Sequence, residues 1–220
     1  MKRPKRHSRQ RRHRASGFSL IEMMSVVAIG IAVTAIAGMS LMPMLKQEHV
    51  TNAYNTTLGA LRQARDNALS ERTSYTVTFV TSLSPVTNTI TVAPTLTTFQ
   101  GANSSVTYTL PSDMSFTTQT GYPTPGPDSF GTGTNAIDFG YTENSSTGGQ
   151  TVIYFCPDGS AQSAACGLGD YANNWDNGVV YIARTGDILS SRAVTLWGGT
   201  GRIRGWRLYP SGSNYIWKRQ

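Results

Sequence analysis

The sequence is poor in histidine and in charge. Its three histidines are His7, His13 and His49, so the chain after residue 49 has none. That absence argues against serine–histidine triads and histidine-rich metal centres in any later domain. Charged residues make up only 14% of the 220 residues, whereas 39% are hydrophobic. This balance excludes a disordered polyelectrolyte and favours one globular domain with room for an appendage.

Charge is also unevenly distributed. Residues 1–17 contain eight Lys or Arg and no acid. Residues 73–183 contain no Lys or Arg against seven acids, and residues 184–220 contain seven basic residues against one acid. The last segment therefore carries a net charge of +6. A local field of this size indicates an anionic partner or an acidic surface that the segment complements.

A long uncharged run follows the basic start. Met23–Leu45 has 23 residues without a charge, and as a helix it would span about 34 Å, enough for a bilayer core of about 30 Å. The plain interpretation is a signal anchor, with the N-terminus held in the cytoplasm by the basic cluster and the rest outside. A cleaved secretory signal fits less well, because no Ala-x-Ala site follows.

Glu22 is the one charge within residues 18–45. A carboxylate deep in an apolar helix costs about 2.5–3.5 kcal/mol, so it should have a partner. The alternative is a glutamate at headgroup level, where a helix N-terminus favours negative charge.

The residues from the leader into the helix resemble a known signal. The basic leader ends in the string Gly17-Phe18-Ser19-Leu20-Ile21-Glu22. It resembles the type IV prepilin signal, which is also found on type II secretion pseudopilins. The resemblance implies that a prepilin peptidase cleaves after Gly17 and N-methylates Phe18. It also implies that Glu22 assists assembly by pairing with the N-terminal amine of a neighbouring subunit.

The same resemblance implies a pilin-like α+β fold, a long N-terminal helix packed on an antiparallel β-sheet head. We divide the chain into a leader (1–17), a transmembrane and assembly helix (18–45), an amphipathic continuation (46–72) and a β-rich head (73–220). Pro43 should kink or loosen the helix. Helical spacing predicts one packed face, made of Val50, Tyr54, Thr57, Leu61, Ala64 and Ala68. The opposite face carries Lys46, Gln47, Arg62, Arg65, Asp66 and Glu71.

Period-two alternation begins at Ser74 and predicts a β-rich head, with Gly, Pro, Ser and Asn clusters between the strands. The predicted strands are Tyr75–Phe79, Thr89–Ala93, Val106–Leu110, Ala136–Phe139, Thr151–Phe155, Val179–Ala183, Arg192–Trp197 and Arg202–Tyr209.

Two short strings in the head point to one branch of the family. Residues 155–159 resemble the F-x-P-x-G stretch of the FimT, FimU and GspH group, and residues 201–204 resemble the G-R-x-R motif of FimT-like minor pilins. FimT-like proteins are implicated in DNA uptake through that motif, so Arg202 and Arg204 become candidate DNA-binding residues. Two residues apart on a strand, they project from the same face. The alternative is structural, with the arginines blocking edge-to-edge pairing or complementing acids of the head.

The two cysteines, Cys156 and Cys166, would meet an oxidising compartment if the head is exported. Nine residues separate them, and a glycine-containing turn could bring them together. A structural disulfide is the leading hypothesis, with free thiols or metal binding as alternatives. Residues 170–176 could bind calcium, but their spacing is not that of an EF-hand, and we expect no metal site and no cofactor.

The sequence therefore predicts a minor pilin or pseudopilin and not an enzyme. It would be a single-pass inner-membrane protein with a periplasmic head, later part of a type IV pilus or type II secretion pseudopilus. The expected partners are prepilin peptidase, other pilins or pseudopilins and inner-membrane lipid. The alternative is a DNA-binding minor pilin of natural transformation, with double-stranded DNA as a further partner.

Overall fold

A computed structural model describes residues 17–83, 86–95, 105–131, 133–141, 148–166 and 175–220, with residues 36, 37, 39–41, 83 and 86 described by backbone alone. Within these residues one α-helix, α1 (Leu20–Glu71), precedes eleven strands. The strands are β1 (Tyr75–Leu83), β2 (Val86–Pro94), β3 (Val106–Thr109), β4 (Ser115–Phe116), β5 (Ile137–Tyr141), β6 (Val152–Phe155), β7 (Ala161–Gln162), β8 (Asn177–Arg184), β9 (Asp187–Trp197), β10 (Arg202–Ser211) and β11 (Asn214–Arg219).

The chain forms two compact units, Met1–Met44 and Leu45–Gln220. The described part of the first unit is mainly the beginning of α1, where large apolar side chains such as Ile21, Ile29 and Ile31 are exposed. Among the residues that the structure describes, no helix is both long enough and apolar enough to cross a membrane. The span over residues 18–45 stays a prediction from the sequence.

The second unit begins with the rest of α1. Its packed face is the predicted one: Val50, Thr57, Leu61, Ala64 and Ala68 are buried, and Tyr54 is half-buried. The alanines bring the helix close to the strands beneath it. α1 contains Pro43, where a kink or loosening is predicted, and it ends one residue before Arg72.

The strands form two antiparallel sheets. In the first, the order is β3-β2-β1-β6-β7. In the second, the order is β11-β10-β9-β8-β4, and β5 also pairs with β8. Consecutive strands β8 to β11 form a meander. Their pairing brings residues that are far apart in the basic segment, residues 184–220, side by side.

One core joins the helix to both sheets. It contains the buried face of α1, side chains of β1, β2 and β6, and side chains of β5, β8 and β9; examples are Leu61, Phe79, Ile153 and Leu196. A second cluster lies around Val179, Tyr181 and Ala193, packed by Tyr122, Phe130, Trp206 and Trp217. The fold is thus α+β, with residues 45–71 of the helix packed on antiparallel sheets, which confirms the predicted class and is consistent with a pilin-like fold.

All eight predicted strands correspond to observed ones, with shifted ends. Three observed strands were missed. β4 and β7 have two residues each, too few to show a period. β11 lies in the segment for which the sequence analysis considers only the charge, although its Tyr215 and Trp217 alternate with other residues as in a strand.

Candidate functional site

The residues of the predicted processing signal lie at the exposed start of α1. Apart from its chain neighbours, no described residue has an atom within 4 Å of where a Cβ on Gly17 would stand, and Phe18 is 76% exposed. The helix begins immediately afterwards, since Ser19 O accepts from the backbone N–H groups of Glu22 and Met23. A protease could therefore reach the Gly17–Phe18 bond without unwinding the helix. Glu22 lies exposed in the first turn, where the helix dipole favours a carboxylate.

The G-R-x-R string begins in the β9–β10 connection, where its glycine is required, and continues into β10 with Arg202, Ile203 and Arg204. A 3₁₀ turn at Gly198–Thr200 leads into Gly201, which has a left-handed φ of 57°. A Cβ on Gly201 would stand 1.9 Å from Gly159 O and 2.7 Å from Arg65 Nε. Only glycine fits both the backbone angle and the space.

Arg204 is held by an intramolecular ion pair. Its Nη1 lies 2.6 Å from Asp128 Oδ1, and the Asp128 side chain is only 6% exposed. The other Asp128 oxygen accepts from Thr195 Oγ1 at 2.6 Å and from Trp197 Nε1 at 3.1 Å. The Arg204 guanidinium also lies 5.6 Å from the centre of the Trp197 ring. Arg204 therefore has a structural role, and its predicted part in DNA binding stays a prediction.

Arg202 is exposed and lies in different surroundings. Together with Arg62 and Arg65 of α1 it lines an open cleft of about 330 Å³, whose one acidic lining residue is Asp66. Arg65 is held in place by Gly159 O at 3.4 Å from Nε and by Thr200 O at 3.3 Å from Nη2. We call this the arginine cleft. Arg62 and Arg65 had been assigned to the outward face of the helix, and no sequence pattern placed them beside Arg202.

The two strings that suggested the branch meet in space. The turn at residues 155–159 is closed by Cys156 N donating to Ser160 O and Gly159 N donating to Cys156 O, both at 2.8 Å. The carbonyl of Gly159 then contacts Arg65 and crowds Gly201. Residues 155–159 and 201–204 thus form one junction around a helix arginine.

Cys156 and Cys166 form a disulfide bond, with a Cα–Cα distance of 5.6 Å. Cys156 is fully buried. The bond ties the turn at residues 155–159 to the segment that follows β7. The two sulfurs are therefore neither free thiols nor metal ligands in this structure.

The basic segment is only partly neutralised by acids of the head. Besides Arg204 with Asp128, Arg184 pairs with Asp113 at 2.6 Å and with Asp187 at 3.5 Å, and His49 contacts Asp113 at 2.8 Å. Burial tends to raise the pKa of Asp113, but hydrogen bonds from Arg184 and His49 outweigh it and hold that pKa below its usual value. The described ion pairs include none of the other five basic residues of the segment, which are Arg192, Arg202, Arg207, Lys218 and Arg219.

The aromatic residues of this segment are mostly used in packing. Trp206 and Trp217 belong to the second cluster, and Trp206 Nε1 donates to Thr195 Oγ1 at 3.0 Å. Trp197 is 38% exposed but packs edge-to-face against Phe130, with ring centres 4.9 Å apart. A continuous surface for base stacking is therefore not formed by these three tryptophans.

No group of three or more His, Cys, Asp or Glu that could hold a metal occurs among the described residues. The calcium hypothesis for residues 170–176 lies largely outside them, since only the last two residues of that segment are described. One of these, Asp176, is fully buried and accepts a hydrogen bond from Gly140 N at 2.5 Å.

Comparison with known proteins assigns no relative: no family model, curated protein or solved structure matches this chain. The resemblance to pilins therefore depends on residues 17–22, 155–159 and 201–204, and the fold class depends on the structure alone.

Proposed function

We propose that the chain is a minor pilin or pseudopilin, a structural subunit of a type IV pilus or type II secretion pseudopilus. The observation that carries the proposal is the position of the signal-like string. Gly17 and Phe18 are exposed directly ahead of a 52-residue helix, and the later part of that helix packs on an antiparallel β head. A subunit that polymerises through an apolar helix and presents a folded head needs this arrangement.

In this proposal prepilin peptidase removes residues 1–17 and methylates the amine of Phe18. The chain is held in the inner membrane by residues 18–45, with the head in the periplasm, until it joins other pilins or pseudopilins. Glu22 lies four residues after Phe18, about 6 Å along a helix. Its carboxylate then pairs with the N-terminal amine of the adjacent subunit, which offsets the cost of its burial in an apolar bundle.

Mass spectrometry of the filament-associated chain tests the proposal directly. We expect an N-methylated Phe18 as the first residue, unchanged processing in Gly17→Ala, and blocked processing in Gly17→Glu. Glu22→Ala should be processed but incorporated poorly, whereas Glu48→Ala, an exposed glutamate on the same helix, should assemble like wild type. An intact Met1 in assembled filaments would show that the proposal is wrong.

A DNA-binding minor pilin is the second candidate, and the arginine cleft favours it. Arg62, Arg65 and Arg202 line a space large enough for a phosphate group, together with Asp66. Guanidinium groups bind phosphate oxygens through paired N–H donors, without regard to base sequence.

Duplex DNA titrations at two salt concentrations test this second function. Arg62→Gln and Arg202→Gln should each weaken binding and reduce the salt slope by about one. Asp66→Asn should strengthen binding, because it removes the acid of the cleft. Arg219→Gln, an exposed arginine in β11, is the matched control and should have little effect. Absence of binding at low salt would exclude this function.

A further inference from the structure

Three cations lie side by side across the second sheet. Arg207 of β10 is directly opposite Arg192 of β9 on one side and Lys218 of β11 on the other. Residues directly opposite in antiparallel strands project from the same face with Cβ atoms about 4.5–5.5 Å apart, and like charges there destabilise the sheet. We call these three residues the cation row.

The described ion pairs bring no carboxylate to the cation row. Arg192 is only 4% exposed, and its Nη1 donates to the carbonyls of Ser190 and Ser191 at 3.3 and 3.0 Å. Burial, and then the charge of Arg207, lower the pKa of Arg192 to about 10, although Asp187 and two tyrosines oppose the shift. The row is thus a concentration of positive charge without an ion-pair partner among the described residues.

Two members of the row are arranged around one aromatic ring. Arg207 and Lys218 lie 5.1 and 5.4 Å from the centre of the Tyr209 ring. Arg207 Nε is buried without a hydrogen-bond partner. Lys218 is exposed and Arg207 half-buried, so an anion can approach the row from solvent.

The row lies alongside the first turns of the helix in the second unit. Gly205, two residues before Arg207 and on the same face, contacts the Tyr54 hydroxyl. Arg184, at the end of β8, donates from Nη2 to Lys46 O at 2.7 Å. Tyr54 is nine residues from Leu45, about 14 Å along a helix. The row therefore belongs to the end of the unit where α1 enters it.

That end is positively charged overall. Its described side chains include five cations, Lys46, Arg184, Arg192, Arg207 and Lys218, and three carboxylates, Glu48, Asp113 and Asp187. Two of the three carboxylates are already paired with Arg184. The excess charge lies on the cation row and Lys46.

We propose that the cation row binds the phosphate of an anionic phospholipid, so that the head rests on the membrane before assembly. The assignment of the anion to lipid depends on the proposed function, because only an anchored helix brings Leu45 to a membrane surface. If the helix is anchored, the row lies at the end of the head nearest the membrane, offers ammonium and guanidinium donors, and takes part in none of the described ion pairs. Lysine and arginine near an anionic leaflet each strengthen its binding by about fivefold.

Calorimetric titration of the full chain in nonionic detergent tests the proposal. The probes are dihexanoyl phosphatidylglycerol, dihexanoyl phosphatidylcholine, inorganic phosphate and a short DNA duplex. We expect saturable binding of phosphatidylglycerol but not of phosphatidylcholine, weakened about fivefold by Arg207→Gln and by Lys218→Gln. Arg219→Gln is the matched control, since Arg219 is adjacent to Lys218 but opposite Trp206, on the other face of the sheet. Its affinity should change less than about twofold, and circular dichroism should show each variant folded.

Each other outcome would overturn the lipid assignment. Equal binding of the two lipids, equal loss in all three variants, or binding of inorganic phosphate without lipid preference would do so. Stronger binding of duplex DNA that is lost in Arg207→Gln would assign the row to nucleic acid. Flotation of the full chain with pure phosphatidylcholine vesicles tests the membrane anchor of the proposed function independently of the lipid site. If the chain floats but the titration shows no preference for phosphatidylglycerol, the anchored helix is supported and the lipid site is wrong. If the titration shows that preference but the chain does not float, the lipid site is supported and the membrane anchor is wrong.

Discussion

Replacement of Arg204 by glutamine should destabilise the head far more than replacement of Arg202. Arg204→Gln leaves the Asp128 carboxylate, whose side chain is 6% exposed, without its cationic partner. Thr195 and Trp197 would still donate to it, but two neutral donors do not replace a guanidinium at 2.6 Å. Removal of one partner from a buried pair costs about 3–5 kcal/mol.

The Arg204 side chain is itself 20% exposed, so the lower end of that range is expected, about 3 kcal/mol. For a unit of this size a loss of about 3 kcal/mol lowers Tm by roughly 6–12 °C. Thermal and urea unfolding of residues 45–220 would measure both quantities. Arg202→Gln, which removes an exposed side chain, should change stability by less than about 0.5 kcal/mol.

The double variant Arg204→Gln with Asp128→Asn distinguishes loss of the ion pair from destabilisation by other effects of the substitutions. Once both charges are gone, no unpaired carboxylate remains, so the loss should be smaller than the sum of the two single losses by about 1.5 kcal/mol or more. Strict additivity, or an Arg204→Gln variant as stable as wild type, would refute the reasoning. Binding data on Arg204 variants are interpretable only after this measurement.

Three further predictions concern stability. Burial raises the pKa of Asp176 to about 6 against opposing backbone hydrogen bonds from Gly140 and Tyr141. The folded state then holds this proton more tightly than the unfolded state, so stability should fall by on the order of 2 kcal/mol as pH rises from about 4 to about 6. Urea unfolding midpoints should decrease across that pH range in the wild type, and this decrease should be absent in Asp176→Asn. Reduction of the Cys156–Cys166 disulfide, which closes a separation of ten residues, should cost about 2–3 kcal/mol in urea unfolding, and an unchanged midpoint would contradict this. Gly201→Ala should cost more than about 2 kcal/mol because its Cβ meets Gly159 O, whereas Gly186→Ala, with φ of 79° and open space, should cost about 1 kcal/mol by the same assay.

The parts of the fold that follow a period could be predicted from the sequence. Helical spacing identified the packed face of α1 from Val50 to Ala68, and alternation located the longer strands. Two-residue strands carry no period, so β4 and β7 could not be found in this way. The continuity of α1 through Pro43 could not be predicted either, because proline removes one hydrogen bond and the neighbouring turns decide whether the helix survives.

The candidate sites were less predictable, because their partners are distant in sequence. Asp128 is 76 residues from Arg204, in a short 3₁₀ turn at Pro127–Ser129, and nothing in its local sequence marks it as an ion-pair partner. Likewise, Arg62 and Arg65 resemble solvent-facing helix residues until the β9–β10 connection is placed beside them. The cation row required the register of three strands.

The two hydrogen bonds of Arg65 have a consequence for how the second unit unfolds. Gly159 follows β6 of the first sheet, and Thr200 precedes β10 of the second. One helix side chain therefore forms hydrogen bonds with segments next to both sheets. The helix cannot detach from one sheet and leave its attachment to the other undisturbed. We therefore expect the second unit to unfold in a single cooperative transition, with tryptophan fluorescence and far-ultraviolet circular dichroism reporting the same midpoint, rather than sheet by sheet.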